Sequence, residues 1–214
     1  MITEKGTMQT EVIFNDAREE RYLLRKIWDK TKPKVSLLMI QAGAANAVDI
    51  DMTCLYCIRN LNLLGYGGFD VLNISSKIET KLSTKDAITL SAANVEQILK
   101  SASMAKKFII CWGKIGENNA KVKAVQRQIL EHLQPFEDKL HVIASPAGGT
   151  GFHPLAPQIR FEWIIEKFVR PSYLQAIPEA EIDKNVQHKP LEQPDSDTEK
   201  THKTTSNSDN VQKG

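Results

Sequence analysis

The sequence is short of aromatic residues, cysteine and long hydrophobic runs. Aromatic residues make up 7% and apolar residues 41% of the 214 residues, which is lean for a globular protein. Apolar runs such as 37–40 and 108–112 are far shorter than the roughly 20 residues of a membrane-spanning helix. Met1–Thr10 has no apolar stretch of the kind found in secretory signals, and three cysteines argue against a disulfide framework. We therefore expect a cytoplasmic protein without a membrane span.

The apolar deficit is confined to the carboxyl-terminal part of the chain. Residues 171–214 contain nine apolar residues, and five lysines face eight acidic residues. The first 170 residues carry 23 basic and 18 acidic residues, a net charge of +5. Such a charge permits contact with a polyanion without requiring it. The pattern predicts an N-terminal extension over 1–18, a single α/β domain over 19–170 and a disordered acidic tail over 171–214.

Short apolar segments alternate with segments of helical periodicity. Four segments bounded by turn residues read as buried strands: 35–40, 69–74, 107–112 and 139–144. Between them, 52–64, 92–104 and 118–133 read as helices, the first capped by Asp51 and ended by Gly65. This order is typical of a parallel sheet covered on both faces. We predict a three-layer α/β/α fold with a four-stranded, mainly parallel sheet.

Two further segments are less regular. Residues 19–29 fit a helix capped by Asn15 or a strand, and the short connection through Pro33 favours a strand that forms a hairpin with 35–40. Residues 159–168 are predicted to form a closing helix that Pro171 stops.

Ligands of open parallel sheets bind at the carboxyl ends of the strands, where loops and helix starts converge. Three residues there, Gln41, Asp51 and His153, are candidates for catalysis. Candidates for ligand binding follow the same four strands: Gly43, Asn46, Thr53, Asn73, Trp112, Gly113 and Pro154. Each has a simpler alternative, since Asp51 can be only a helix cap, Trp112 a core-edge residue and His153 a surface histidine.

No motif predicts a metal or a cofactor. Cys54 and Cys57 are spaced as C-x-x-C, but no second pair follows, so buried apolar roles are expected for the cysteines. The glycine-rich loop 148–151 lacks the lysine of a phosphate-binding P-loop.

Several short motifs together resemble the sixteen-forty-three family of domains of unknown function, found in bacteria and their phages. The matching stretches are Arg21 to Arg25 with Trp28, Gln41 to Asn46, Ile50 to Thr53, Leu64 to Gly68, Leu72 to Ile74, Asn94, Trp112-Gly113 and Gly151 to Leu155. The chain departs from the family pattern at one loop, where the family's Asn-Pro-Ser-Thr-Ala-Asp is replaced by residues 41–46 and its paired acids by Ile50-Asp51. Any activity of the family would therefore be changed or absent in this chain.

A more distant resemblance is to uracil-DNA glycosylases. Those enzymes have a four-stranded parallel sheet, a water-positioning loop after the first strand and a base-holding His-Pro or Asn-Pro loop after the last. The resemblance implies that Gln41 takes the water-positioning place and that His153-Pro154 takes the base-holding place. Trp112 would stack on the base and Asp51 would assist hydrolysis. The sequence thus leaves two hypotheses, a glycosylase-like enzyme acting on a nucleotide or nucleic acid and a non-catalytic module that binds a nucleotide or a partner.

Overall fold

The fold is described by a computed structural model that covers residues 1–43, 46–78, 88 and 90–175. Within these residues one sheet contains seven strands, which are β1 (Gln9–Phe14), β2 (Arg21–Ile27), β3 (Lys34–Ala42), β4 (Gly68–Ile78), β5 (Phe108–Ile110), β6 (Leu140–Ala144) and β7 (Ile164–Lys167). Three α-helices connect them, α1 (Met52–Leu63), α2 (Ala92–Met104) and α3 (Ala120–His132). Short 3-10 helices lie at Ile115–Glu117, Gln134–Lys139, Pro157–Ile159 and Ser172–Leu174.

The strand order is β1-β2-β4-β3-β5-β6-β7. The neighbours β4, β3, β5 and β6 run parallel to one another, whereas β1, β2 and β7 are antiparallel to their neighbours. The predicted mixed α/β architecture is confirmed. The sheet is larger than the four strands expected, because antiparallel strands extend both of its edges.

Helices cover both faces of the sheet. On the first face, Ile98 of α2 and Ile129 of α3 pack with Leu38, Leu72 and other sheet residues in one buried cluster. On the second face, α1 and the segment after His153 form another cluster, which includes Cys57, Leu61, Ile159 and Trp163. The central strands are therefore buried on both sides, which is why they read as continuous apolar runs.

The amino-terminal strands differ from the sequence prediction. β2 is a strand, as expected, but it forms no hairpin with β3; it pairs with β4 on one side and β1 on the other. Strand β4 occupies the position beside β3. Residues 9–14, expected within an N-terminal extension, form the edge strand β1, so the folded unit begins earlier than residue 19.

The predicted helix over 159–168 is wrong. Its first residues close a 3-10 turn, and Ile164–Lys167 form β7, antiparallel to β6. Two adjacent β-branched residues, Ile164 and Ile165, favour a strand, and β6 offers an edge whose backbone groups need partners. Trp163 and Ile159 still bury their side chains in the second cluster, which explains the helix-like spacing of apolar residues.

The helix ends follow the capping rules. Asp51 accepts a hydrogen bond from the Cys54 backbone N–H at 2.7 Å, and Ser91 and Asn119 cap α2 and α3 in the same way. Gly65, which follows α1, has φ +80°, a conformation that glycine adopts without strain. The described helices are also too short or too polar to cross a membrane.

One buried charged residue ties three strands together. Asp70 of β4 is fully buried and accepts a bidentate pair from Arg25 of β2, with Nε–Oδ1 2.8 Å and Nη2–Oδ2 3.0 Å. The Lys34 ammonium of β3 contacts the same carboxylate, and Arg25 also bonds the more exposed Glu11 of β1 at 2.7 Å. This network fixes the relative register of β1, β2, β3 and β4.

The folded unit extends to Gln175, five residues beyond the predicted boundary. Leu174 is fully buried, and Arg127 donates to the Tyr173 carbonyl oxygen at 3.0 Å. Residues 171–175 therefore do not belong to a tail. The disordered acidic tail remains a prediction for 176–214, which lie outside the described residues.

Two truncations test this boundary. A chain ending at Gln175 should keep the melting temperature of the full chain, whereas one ending at Arg170 loses Leu174 and should lose about 3 kcal/mol of unfolding free energy. Thermal unfolding followed by circular dichroism measures the difference. Equal melting temperatures for the two shortened chains would contradict the boundary.

Candidate functional site

A small cavity lies at the carboxyl ends of β3 and β4, beside the start of α1 and the loop that carries His153. We call it the His153 cavity; its volume is about 120 Å³. Its polar lining consists of Arg21, Gln41, Gly43, Asp51, Thr53, Asn73 and His153. The structure thus brings together six of the ten residues that the sequence indicates, and it adds Arg21.

The cavity has a buried floor and a more open mouth. Leu24, Met39, Val71 and Cys54 supply apolar walls, and each is less than 5% exposed. Gln41, Gly43, Thr53 and His153 are half-buried at the mouth, and Asp51 is exposed. A ligand group that enters would therefore be surrounded by protein on its inner side while the rest stays outside.

Asn73 is a positioning residue at the floor. Its Oδ1 accepts from Arg21 Nη2 at 3.2 Å, and its Nδ2 donates to the Gln41 carbonyl oxygen at 2.7 Å. Its own carbonyl oxygen accepts from Nδ2 of Asn94, a fully buried residue of α2, at 2.9 Å. Because both ends of the Asn73 amide are engaged, it holds Arg21 and the Gln41 backbone in place.

Arg21 places a cation in the cavity wall. The pairing of β2 with β4 is irregular here. Leu24 pairs with Val71 and Glu20 with Lys77, so a step of four residues on one strand lies opposite a step of six on the other. This irregularity makes room for the guanidinium, and Arg21 is only 4% exposed. Burial lowers the pKa of Arg21, while the nearby Cys54 and Asp51 raise it, and an arginine remains charged at neutral pH.

His153 is held as a neutral hydrogen-bond donor. Its Nδ1 lies 3.2 Å from the Leu155 backbone nitrogen, whose N–H donates to it, so the proton of a neutral ring is on Nε2. Burial lowers the pKa of His153 and Asp51 raises it to a smaller extent. The neutral Nε2–H form is therefore the one present at pH 7.

Gly113 allows His153 to approach the end of β5. Its φ is +67°, and a side chain there would place a Cβ 3.4 Å from the His153 Cβ. Any other residue would be strained by the positive φ, and its Cβ would lie in contact with His153. Pro154 is buried and, contrary to its predicted place beside the ligand, does not line the cavity.

Asp51 has two roles at the mouth. One carboxylate oxygen, Oδ1, caps α1, while the residue itself is exposed beside the cavity. The neighbouring Cys54 is a poor nucleophile, because burial and the negative charge of Asp51 raise its pKa to about 12. Burial also raises the pKa of Cys57 and of Cys111. Within the described residues, no three His, Cys, Asp or Glu side chains are grouped to hold a metal ion.

Trp112 lies away from the cavity, contrary to its predicted place beside the ligand. Side chains alternate at the end of β5, so Cys111 belongs to the second cluster and Trp112 to the first, on the opposite face of the sheet. Asn46 is also elsewhere: it accepts from the Val48 and Asp49 N–H groups and donates to the Asp49 carboxylate in a local turn.

Sequence reasoning missed Arg21 as a site residue. A signal was present, because Arg21 begins a strand that continues with the apolar residues Leu23 and Leu24, and a charged residue is unusual at a buried position. Arg21 is also the first residue of the first family motif, which lies in β2.

The sequence pattern of one protein family, described as "Protein of unknown function (DUF1643)", matches residues 21–155. The match begins at Arg21 and ends just beyond His153, so it spans the polar lining of the His153 cavity. No curated protein and no solved structure shows significant similarity to the chain. Because the match covers more than half of the sequence, the chain belongs to the family of proteins of unknown function DUF1643.

Proposed function

We propose that the chain binds the carbonyl edge of a nucleobase in the His153 cavity and hydrolyses the N-glycosidic bond of that base. The observation that carries the proposal is the neutral Nε2–H donor of His153 in a cavity whose wall also holds a buried arginine. A carbonyl oxygen that gains negative charge is stabilised by such preorganised donors and cations.

The size of the cavity limits what enters. Its 120 Å³ equals the share of about four water molecules in the liquid. A single six-membered ring suits this space, and a purine nucleoside is too large. The sugar and any further nucleotides would stay outside, next to Asp51 and Thr53 at the mouth.

The proposed hydrolysis follows from the charged and polar groups around the bound base. Asp51 accepts a hydrogen bond from a water molecule, and the Gln41 amide helps to orient it. The water oxygen attacks the sugar C1′, the C1′–N bond breaks, and the base leaves with the bonding electrons. His153 Nε2–H and Arg21 stabilise the negative charge that develops on the base, and the proton lost by the water ends on the base nitrogen.

The arrangement of the loops supports a glycosylase-like interpretation. Gln41 lies at the end of β3 and the His153-Pro154 loop follows β6, which are the first and last parallel strands in chain order. Gln41 and His153 line one cavity, as the resemblance to uracil-DNA glycosylases implies.

A base-release assay tests the proposal with one conservative variant. Wild-type protein is incubated with uracil-, hypoxanthine- and oxidised-base-containing oligonucleotides, single- and double-stranded, and with the nucleosides. Asp51→Asn keeps a good helix cap but removes the negative charge, so its melting temperature should be unchanged while base release falls about 100-fold. If the wild type releases no base from any substrate, or if Asp51→Asn retains the full rate, the proposal that this site hydrolyses the glycosidic bond is wrong.

A non-catalytic binding module is the second candidate. Glutamine at position 41 cannot act as a base, and Asp51 already uses one oxygen as a helix cap. In that case a base or nucleotide should stabilise the protein without being cleaved. At 100 times the dissociation constant, a ligand adds about 2.7 kcal/mol of stability, which a thermal-shift screen detects.

A further inference from the structure

A second cavity, of about 480 Å³, lies on the α3 side of the sheet beyond the ends of β5 and β6. We call it the aromatic cavity. Although aromatic residues are scarce in this chain, three of them line it, namely Trp112, Phe168 and Tyr173. The volume lies within the range of about 300–1,000 Å³ that is typical of small-molecule sites.

The aromatic residues form a floor and two walls. Trp112 is 5% exposed and closes the bottom as part of the first core cluster. Phe168 and Tyr173 are half-buried; they pack against the same cluster and also line the cavity. Tyr173 is held firmly, because Arg127 bonds its carbonyl oxygen and the neighbouring Leu174 is fully buried.

A hydrogen-bond donor and a carboxylate both line this cavity. The Tyr173 phenol interacts with the Trp112 indole N–H and with the negative charge of Glu117. Burial raises the pKa of Tyr173, Glu117 raises it further, and the Trp112 N–H opposes this in part. The phenol is therefore protonated at neutral pH and can donate, whereas the nearby Glu117 carboxylate can only accept.

We propose that the aromatic cavity binds the adenine ring of a nucleotide between Phe168 and Tyr173. Adenine presents a ring-nitrogen acceptor next to an exocyclic amino donor, which complements the Tyr173 hydroxyl and the Glu117 carboxylate. Guanine and hypoxanthine present a carbonyl oxygen instead of that amino group, and the oxygen would face the carboxylate. Lys114, which also lines the cavity, supplies a cation for the phosphate.

This site is separate from the His153 cavity and does not depend on the proposed hydrolysis. The two cavities lie on opposite faces of the sheet, and no residue that the structure describes lines both of them. A nucleotide that binds in the aromatic cavity should therefore be insensitive to loss of the imidazole.

Isothermal titration of the full chain with adenosine and inosine monophosphates tests the inference. Adenosine monophosphate should bind at least about tenfold more tightly than inosine monophosphate, because a mispaired polar edge costs about 1.4 kcal/mol or more. Glu117→Gln replaces the carboxylate that would face a carbonyl oxygen with an amide that can donate to one, so it should erase that preference. Phe168→Leu should weaken both ligands about tenfold through lost stacking. Phe161→Leu, an exposed aromatic residue that contacts Tyr56 and Arg59 of α1, should change neither affinity.

Several results would overturn the inference. They are absence of binding up to about 1 mM, equal affinity for the two nucleotides, and an unchanged preference in Glu117→Gln. Loss of adenosine monophosphate binding in His153→Ala would move the ligand to the His153 cavity, which contradicts this inference but leaves the proposed hydrolysis standing. Adenine-selective binding without base release from any substrate would support this inference and contradict the proposed hydrolysis.

Discussion

His153→Ala is expected to lower base release by about 100- to 1,000-fold while the protein stays folded. Removing one preorganised donor to a developing negative charge has effects of this size. The loss should lie mainly in kcat, since the Nε2–H bond to the base strengthens as charge accumulates. Single-turnover release of the base at saturating enzyme measures it.

The control is the neighbouring Leu155→Ala. Leu155 is 39% exposed, and its backbone N–H still bonds His153 Nδ1, so this variant should keep the wild-type rate. Any loss of the wild-type rate through protonation of His153 should have its midpoint below pH 6.5, because burial lowers the pKa of His153 from that value. A His153→Ala rate within threefold of wild type, or equal losses in the two variants, would remove His153 from the reaction.

The largest expected effect on stability belongs to Asp70→Ala. This change leaves Arg25 and Lys34, each about one-fifth to one-quarter exposed, without the buried carboxylate that they share. Breaking a buried charge pair by deleting one partner costs about 3–5 kcal/mol, and the lower end is expected here because the two cations can turn towards water. Urea unfolding followed by circular dichroism gives the difference in free energy.

Glu11→Ala is the matched control for the same network. Glu11 bonds Arg25 at 2.7 Å, but its side chain is 49% exposed, so its removal should cost less than about 1 kcal/mol. Similar losses in Glu11→Ala and Asp70→Ala would show that burial of Asp70 does not set the strength of the network.

The centre of the fold could be predicted because burial on both faces leaves a clear pattern. β3, β4, β5 and β6 are short apolar runs, and the helices between them start at capping residues such as Asp51. An element that has neither an apolar run nor a capping residue cannot be predicted from the sequence in this way.

The edges of the sheet were mispredicted for that reason. β7 is four residues long with only Ile165 half-buried, and β1 has a partly polar sequence at one edge. Both are strands because a neighbouring strand offers unpaired backbone groups, which is a tertiary effect. The pairing of β2 with β4 also depends on distant sequence, since 40 residues or more separate their ends.

The site could be predicted in part. Gln41, Asp51, Asn73 and His153 line one cavity because the carboxyl ends of parallel strands converge. This convergence follows from the topology alone, so it could be predicted. The face of the sheet on which each side chain lies is harder to predict. Trp112 and His153 are at the same edge of the sheet but line different cavities. The position of Arg21 depends on the irregular pairing of β2 with β4, which sequence patterns do not reveal.

The most direct test of the central claim is the imidazole of His153 itself, observed by nitrogen-15 NMR while uridine or a uracil-containing oligonucleotide is added. We predict the neutral Nε2–H tautomer at pH 7, with the Nε2 and attached proton resonances shifting on binding and the Nδ1 resonance nearly unchanged. The same titration of Asp51→Asn should show the same shift, because binding does not require the carboxylate. A ring protonated on Nδ1, or resonances that no base or nucleotide moves, would contradict the assignment of this cavity as the base-binding site.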